Sequence, residues 1–351
     1  MPDMRKSFLG LVLLGLLAIT ACGVGVRPVP TLSHDFTTST PDAGYPTAMP
    51  TFTPTPAALG SLENPLVIAQ VDPSPSAEQQ SAFSDLASLL GGHLQMTVVG
   101  RFYNTYQELE FALQRQQVQF AWLQPVEYLL ASQKGLATAL LVSNHLGVTG
   151  YGVQFLGHSD SKFVSYFDIG THSSTAAANV ALAQLSGLRG CLTEENSLAG
   201  YWVPLGYFNL DNIPTLKPVQ TFSYSASIRA LYIKGICSYA ATYAISADPR
   251  TSSEVITDLP EVIEKLPILW MSPPVIPNLN LSFTPQVDLS LQSRVSDFLR
   301  DHARSDAGKA QLSTALHYEI AALEPLPDSA YTTLRELLAA SGVRLADLLT
   351  K

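Results

Sequence analysis

The chain has 351 residues, with 20 Lys and Arg against 29 Asp and Glu and a formal charge of −9. Charged residues make up 14%, against about a quarter in an average globular protein, and beyond Arg5 and Lys6 the basic ones are scattered, which argues against a nucleic-acid partner. The 46% apolar content excludes a wholly disordered chain, no apolar run reaches the roughly 20 residues of a spanning helix, and the length suggests two compact lobes.

The first segment combines Met4-Arg5-Lys6, an apolar stretch from Phe8 to Thr20, and Ile19-Thr20-Ala21-Cys22. It resembles a bacterial lipoprotein signal, with residues 1–21 as the leader and Cys22 as the acylated first residue of the mature chain. Cleavage would remove Asp3, Arg5 and Lys6 and leave 18 basic against 28 acidic residues, a charge of −10. The alternative is an ordinary secretory leader with a chance cysteine. Residues 22–60 then read as a lipid-anchored linker, because Arg27 to Ala58 is dominated by Pro and Thr and has little apolar bulk to bury. At about 3 Å per residue, such a stretch would hold a domain tens of ångströms from the bilayer.

Folded structure is expected from about Pro65. Leu66 to Val71 has strand length, Ser76 would cap a helix running to about Leu90, and Leu94 to Val99 reads as a strand. Thr105 to Gln116 shows helical spacing, and Val118 to Leu123 returns to a strand. A second block repeats the alternation: strands at Gly152–Gly157, Gly190–Thr193 and Tyr239–Ile245, with helices at Thr175–Leu185 and Ser197–Tyr207. The tail carries Ile268-Leu-Trp270 and helices around Leu289–Arg304 and Ser329–Ala340. The expected class is α/β, with ligands bound beyond the carboxyl ends of the strands.

Five segments, in order, resemble the phosphate/phosphonate-type substrate-binding proteins of ABC transporters. They are Tyr106 with the Ala-Leu that follows it; Gln117-Val-Gln-Phe-Ala-Trp-Leu-Gln-Pro125 with Tyr128; Asn196-Ser197-Leu-Ala-Gly200-Tyr201 with Pro204; Ser223-Tyr-Ser-Ala-Ser227-Ile-Arg229-Ala-Leu231; and Ser272-Pro-Pro-Val-Ile-Pro277. The resemblance implies a periplasmic-binding-protein fold of the two-hinge type, two α/β lobes with a ligand cleft between them. Residues 61–150 plus 245–351 would form lobe 1 and residues 151–244 lobe 2, with crossings near Gly150 and Ala244.

Carried over by position, the anion-binding hydroxyl turn of phosphonate binders becomes Ser197-Leu198-Ala199-Gly200, with two hydroxyls missing and Glu194 and Glu195 just upstream. The family's histidine becomes Tyr224, and its acidic positions become Ile236, Ser238 and Tyr243. Aromatics stand in place of that chemistry: Tyr103, Tyr106, Trp122, Tyr128, Tyr201, Tyr224 and Tyr243 fall at or beside cleft positions in the family. Aromatic walls suit planar ligands or organic cations, yet each of these residues equally suits a core, as Trp122 and Tyr128 would in lobe 1. Ser197 and Gly200 at a helix start suit either a ligand or a plain cap. Cys191 and Cys237 both fall on lobe 2 strands in the family and are expected to form a disulfide; the alternative is two buried free thiols.

Catalysis finds little support, because Ser159-Asp-Ser-Lys162 lacks companion elements, and His145, His158 and His172 read as surface histidines. The expected function is a monomeric, lipid-anchored solute-binding protein on the extracytoplasmic face of the cell membrane. It would capture a small molecule by hinge closure and pass it to an ABC permease, without cofactor, metal or enzymatic activity. The alternative is a surface sensor or accessory ectodomain that binds an organic cation or planar metabolite without a permease.

Overall fold

The computed structural model describes residues 57–349, so the leader, Cys22 and most of the linker lie outside the described residues. Strand β1 (Leu66–Val71) leads into α1 (Ala77–Leu94), whose first turn is capped by the Ser76 hydroxyl accepting from Gln79 N. The helix runs one turn past the expected Leu90 because Leu86, Leu90 and Leu94 continue one buried stripe. Gln95, in the left-handed region at φ 57°, ends it. That extension displaces the next strand, so β2 is Val98–Tyr103 rather than Leu94–Val99. Thr105 caps α2 (Tyr106–Gln114), and β3 (Phe120–Leu123), α3 (Pro125–Gln133) and β4 (Thr138–Asn144) follow.

The second block opens with β5 (Gly150–Gly157) and a short hairpin, β6 (Phe167–Asp168) and β7 (Ser173–Ser174). Helix α4 (Ala178–Leu182) is shorter than the expected Thr175–Leu185, since residues 183–185 tighten into a 3₁₀ turn. Then come β8 (Arg189–Leu192), a π-helical turn over Leu198–Trp202 that continues into α5 (Val203–Leu210), β9 (Leu216–Gln220), α6 (Tyr224–Ile233) and β10 (Tyr239–Ala244). Two short helices, α7 (Ser253–Asp258) and α8 (Val262–Lys265), precede β11 (Ile268–Met271), β12 (Ile276–Pro277) and β13 (Asn280–Phe283). The chain closes with α9 (Leu289–His302), α10 (Asp306–Leu316), β14 (Ala322–Pro325) and α11 (Thr332–Ser341).

These strands form two main sheets. The first has the order β14-β4-β13-β3-β1-β2 and the second β11-β5-β10-β8-β9, with β12 also on β5. In the first, β1 pairs in parallel with β2 and β3, so the loops after Val71, Tyr103 and Leu123 open at one end. Both β11 and β12 pair antiparallel with β5, so Ile268–Met271 belongs to the second sheet rather than to lobe 1 as expected. The return to the first sheet therefore falls between Pro277 and Asn280, not near Ala244. Helix α11 also departs from a pure lobe 1 assignment. The hydroxyl of Tyr331, just before it, accepts from Asn280 Nδ2 at 2.9 Å, while Asn209 of α5 donates to Ala340 O at 3.0 Å. A Cβ on Gly206 would lie 2.4 Å from Leu337 O, so glycine there is what lets α5 and α11 touch.

Helix α3 holds a buried acid. Glu127 accepts from Gln124 N at 2.8 Å in a capping box, yet burial outweighs that bond and pushes its carboxyl from 4.5 up to about 7. A raised folded pKa means the folded state holds the proton more tightly than the unfolded chain does. The resulting stability is complete below pH 4.5 and is lost as pH rises through 7, a change of up to about 3 kcal/mol. Glu127→Gln is expected to flatten this decline in urea titrations between pH 5 and 8; an unchanged slope would show that the carboxyl titrates normally.

Candidate functional site

The second sheet brings together two segments that are distant in sequence. Beyond the end of β8, Thr193 N donates to Gly200 O at 3.0 Å, and Gly200 N donates to the Ser197 hydroxyl at 3.0 Å, which caps the π-helical turn. The same Ser197 Oγ lies 2.9 Å from the hydroxyl of Tyr224, the first residue of α6. Ser223 caps that helix, accepting from Ala226 N at 3.1 Å, and thereby fixes where the Tyr224 ring begins. The Tyr224 ring stands edge-on to Tyr243 of β10, with centroids 4.9 Å apart and planes at 86°.

Glycine at 200 is required by packing, since a Cβ there would sit 1.9 Å from Thr193 Oγ1. That Thr193 hydroxyl is buried without a hydrogen-bond partner, a costly state unless something polar meets it. Thr193 was not among the expected residues; the signal available in sequence was a hydroxyl just past the carboxyl end of a strand. Tyr151 of β5 was also missed. Burial pushes its phenol up, and so do Tyr224 and, from beyond α10, Tyr318. Tyr318 is itself raised to about 12 by burial, against the opposing effect of Ser143. Burial likewise raises Tyr224 and Tyr243, so these phenols keep their protons at neutral pH and remain donors.

The other expected residues sit elsewhere. Trp122 is 1% exposed and packs with Leu66, Ile68 and Leu281 on the face of the first sheet that α1 and α9 cover, its Nε1 lacking a partner. Tyr128 is fully buried; its hydroxyl donates to Asp328, and its ring lies 4.3 Å from Tyr331. Tyr106 is buried and lines a cavity of about 300 Å³ with Glu110, Lys134 and Leu349, and its hydroxyl, like that of half-buried Tyr103, has no partner. Tyr201 is buried, with its hydroxyl 3.5 Å from Glu195, which also accepts from Gln220 Nε2 at 3.0 Å. Glu195 is thus engaged by its own neighbours.

Cys191 and Cys237 are joined by a disulfide, with Cα atoms 5.6 Å apart. His158 is buried, not at the surface as expected: Asp160 N donates to its Nδ1, and burial lowers its pKa. Among the described residues no group of three or more His, Cys, Asp or Glu is placed to hold a metal, and no helix is long and apolar enough to cross a membrane.

Residues 70–331 match the family described as the ABC transporter, phosphonate, periplasmic substrate-binding protein. Solved structures similar to this chain include a Xanthomonas citri protein bound to chloride ion, with 16% identity and a TM-score of 0.53 over 80% of this chain and 98% of that one. The same protein bound to ATP gives 17% identity and a TM-score of 0.52 over 82% and 99%. PhnD1 from Prochlorococcus marinus in complex with methylphosphonate is 12% identical, with a TM-score of 0.45 over 78% and 96%. No curated protein matches the chain.

Proposed function

The chain belongs to the phosphonate-type periplasmic substrate-binding family of ABC transporters, and on that premise we propose that it captures a small molecule between two closing lobes and delivers it to a permease. The family is one of extracytoplasmic binding proteins that work with permease components, not of enzymes. In this chain we read residues 1–21 as a lipoprotein leader, Cys22 as the acylated residue and the Pro/Thr-rich linker as a tether. Lobe 1 is built on the first sheet and lobe 2 on the second, with α11 strapped across both.

The observation that carries the ligand reading is the meeting of Ser197 and Tyr224 at 2.9 Å beside the unpartnered Thr193 hydroxyl. Two motifs that stand for the anion-binding turn and the histidine of the family converge here with neutral hydroxyls in place of charge. Hydroxyls and phenol edges suit a ligand recognised by hydrogen bonds and aromatic contact, so the scaffold persists with an altered pocket. Closure follows if such a ligand touches both lobes, because contacts made only in the closed form shift the population toward it.

A thermal-shift screen of the protein against phosphate, methylphosphonate, sulfonates, quaternary amines and nucleobases tests this. A ligand at about 100 times its Kd stabilises by roughly 2.7 kcal/mol. Ser197→Ala and Tyr224→Phe are each expected to weaken the hit by about ten-fold, the worth of one hydrogen bond. The reading is wrong if no class shifts the melting temperature, or if the hit ignores both substitutions.

A further inference from the structure

Around Gln154 of β5 and the β6–β7 hairpin two cavities lie side by side; Ser197, Tyr224 and Tyr243 line neither, although Asp248 of the first acts on the Tyr243 phenol. One, of about 460 Å³, is lined by Gln154, Ile245, Ile263, Ile268 and Met271; the other, of about 480 Å³, shares Ile245, Met271 and His172 with it and reaches Trp270 and Pro273. The β6–β7 hairpin covers them. Ser174 ties it to β11, its hydroxyl donating to Met271 O at 2.9 Å and accepting from Met271 N at 2.8 Å. Beyond these anchors the hairpin tip carries Ile169, 75% exposed, which lines the first cavity. Each volume falls within the roughly 300–1,000 Å³ of ordinary small-molecule sites.

The walls are mainly apolar, with one polar feature out of place. Gln154 is 0% exposed, and its Nε2 donates to Thr242 Oγ1 at 3.1 Å and to Asp248 Oδ1 at 2.9 Å. Those two acceptors fix the amide orientation, because a flipped amide would set its oxygen against the Asp248 carboxylate. Gln154 Oε1 is then left buried with no partner. The charges beside it satisfy each other: Arg250 grips Asp248 through Nε and NH2 and donates from NH1 to Leu266 O at 2.7 Å. The vacant requirement is therefore for a neutral donor.

We propose that these cavities form a second ligand site, separate from the Ser197–Tyr224 cluster, for a small neutral molecule with an apolar body and one hydrogen-bond donor, such as a primary amide or an alcohol. The apolar body packs against Ile245, Ile268 and Met271, and the donor meets Gln154 Oε1. A carboxylate of equal length is disfavoured, since it brings no donor and adds a negative charge near Asp248.

Hexanamide, 1-hexanol and hexanoate, titrated into the protein and followed by isothermal calorimetry and methionine-methyl NMR, test the site. Saturable binding of hexanamide that perturbs Met271 is expected, with hexanoate at least ten-fold weaker. Ala247→Trp, at the exposed rim of the first cavity, is expected to abolish it with an unchanged melting temperature, and Ile263→Trp serves if that variant does not fold. Tyr224→Phe is expected to leave hexanamide binding intact. The proposal is overturned if hexanamide does not saturate, if hexanoate binds as tightly, if a folded rim variant still binds, or if Tyr224→Phe removes binding, which would place the amide in the cleft.

Discussion

Replacing Trp122 with alanine is expected to destabilise the protein by about 3–5 kcal/mol, the usual result of removing a large aromatic side chain from a packed core. The indole is 1% exposed, on a strand whose neighbours in register are Gln70 on β1 and Leu281 on β13. A cavity there would border Leu66, Ile68 and Leu281, which sit on strands and have little freedom to collapse into it. The same residue was a candidate ligand contact in sequence, and its Nε1 is buried without a partner. Trp122→Phe separates the two roles. It keeps most of the ring volume and removes a buried N–H whose unmet hydrogen bond costs about 1–3 kcal/mol, so its loss of stability should be far smaller than that of Trp122→Ala. In urea unfolding, the midpoint should fall sharply for alanine and little for phenylalanine at constant m. An unmoved midpoint for Trp122→Ala, together with weaker ligand binding, would return Trp122 to the cleft.

The case of Trp122 shows where sequence reading stops. The run Val118-Gln-Phe-Ala-Trp-Leu123 announces a buried strand, but alternation cannot say which face of a doubly covered sheet meets helices and which end meets ligand. Residue type is no better guide, because Tyr128 and Tyr224 are the same side chain on similar α/β connections. The first spends its hydroxyl on Asp328 in the core, and the second presents it to Ser197. Local signals read well wherever the physics is local. Ser76 caps α1 through its own side chain as expected, and β1 spans Leu66–Val71. Non-local pairing was harder. Nothing in Ile268-Leu-Trp270 distinguishes an edge of one sheet from an edge of the other, and the answer is set by pairing with β5, more than a hundred residues earlier. Thr193 carried only a weak signal for a related reason: its importance comes from Gly200 lying against it, and that contact exists only once the π-helical turn has formed.

The disulfide sets the second large effect. Cys191 lies on β8 and Cys237 just before the parallel strand β10, so the bond joins neighbours in one sheet and closes a loop across a sequence separation of 46. By loop entropy alone, a cross-link of that span stabilises by about 4 kcal/mol, chiefly by restricting the unfolded chain. The loop contains α5, β9, α6 and, with them, Ser197, Gly200 and Tyr224. The double variant Cys191→Ala/Cys237→Ala is therefore expected to melt lower by many degrees in a domain of this size. It should also exchange amide hydrogens faster between 191 and 237 than in the first sheet, because the unlinked loop can open locally without unfolding α1, β1 and β3. Ligand affinity should fall with it, since the hydroxyls of Ser197 and Tyr224 would no longer be held 2.9 Å apart by a closed loop. Equal melting temperatures for the oxidised protein and the double variant, or two alkylatable thiols in the native protein, would remove the bond from the account and leave packing around Ile228, Leu231 and Ala240 as what holds that loop.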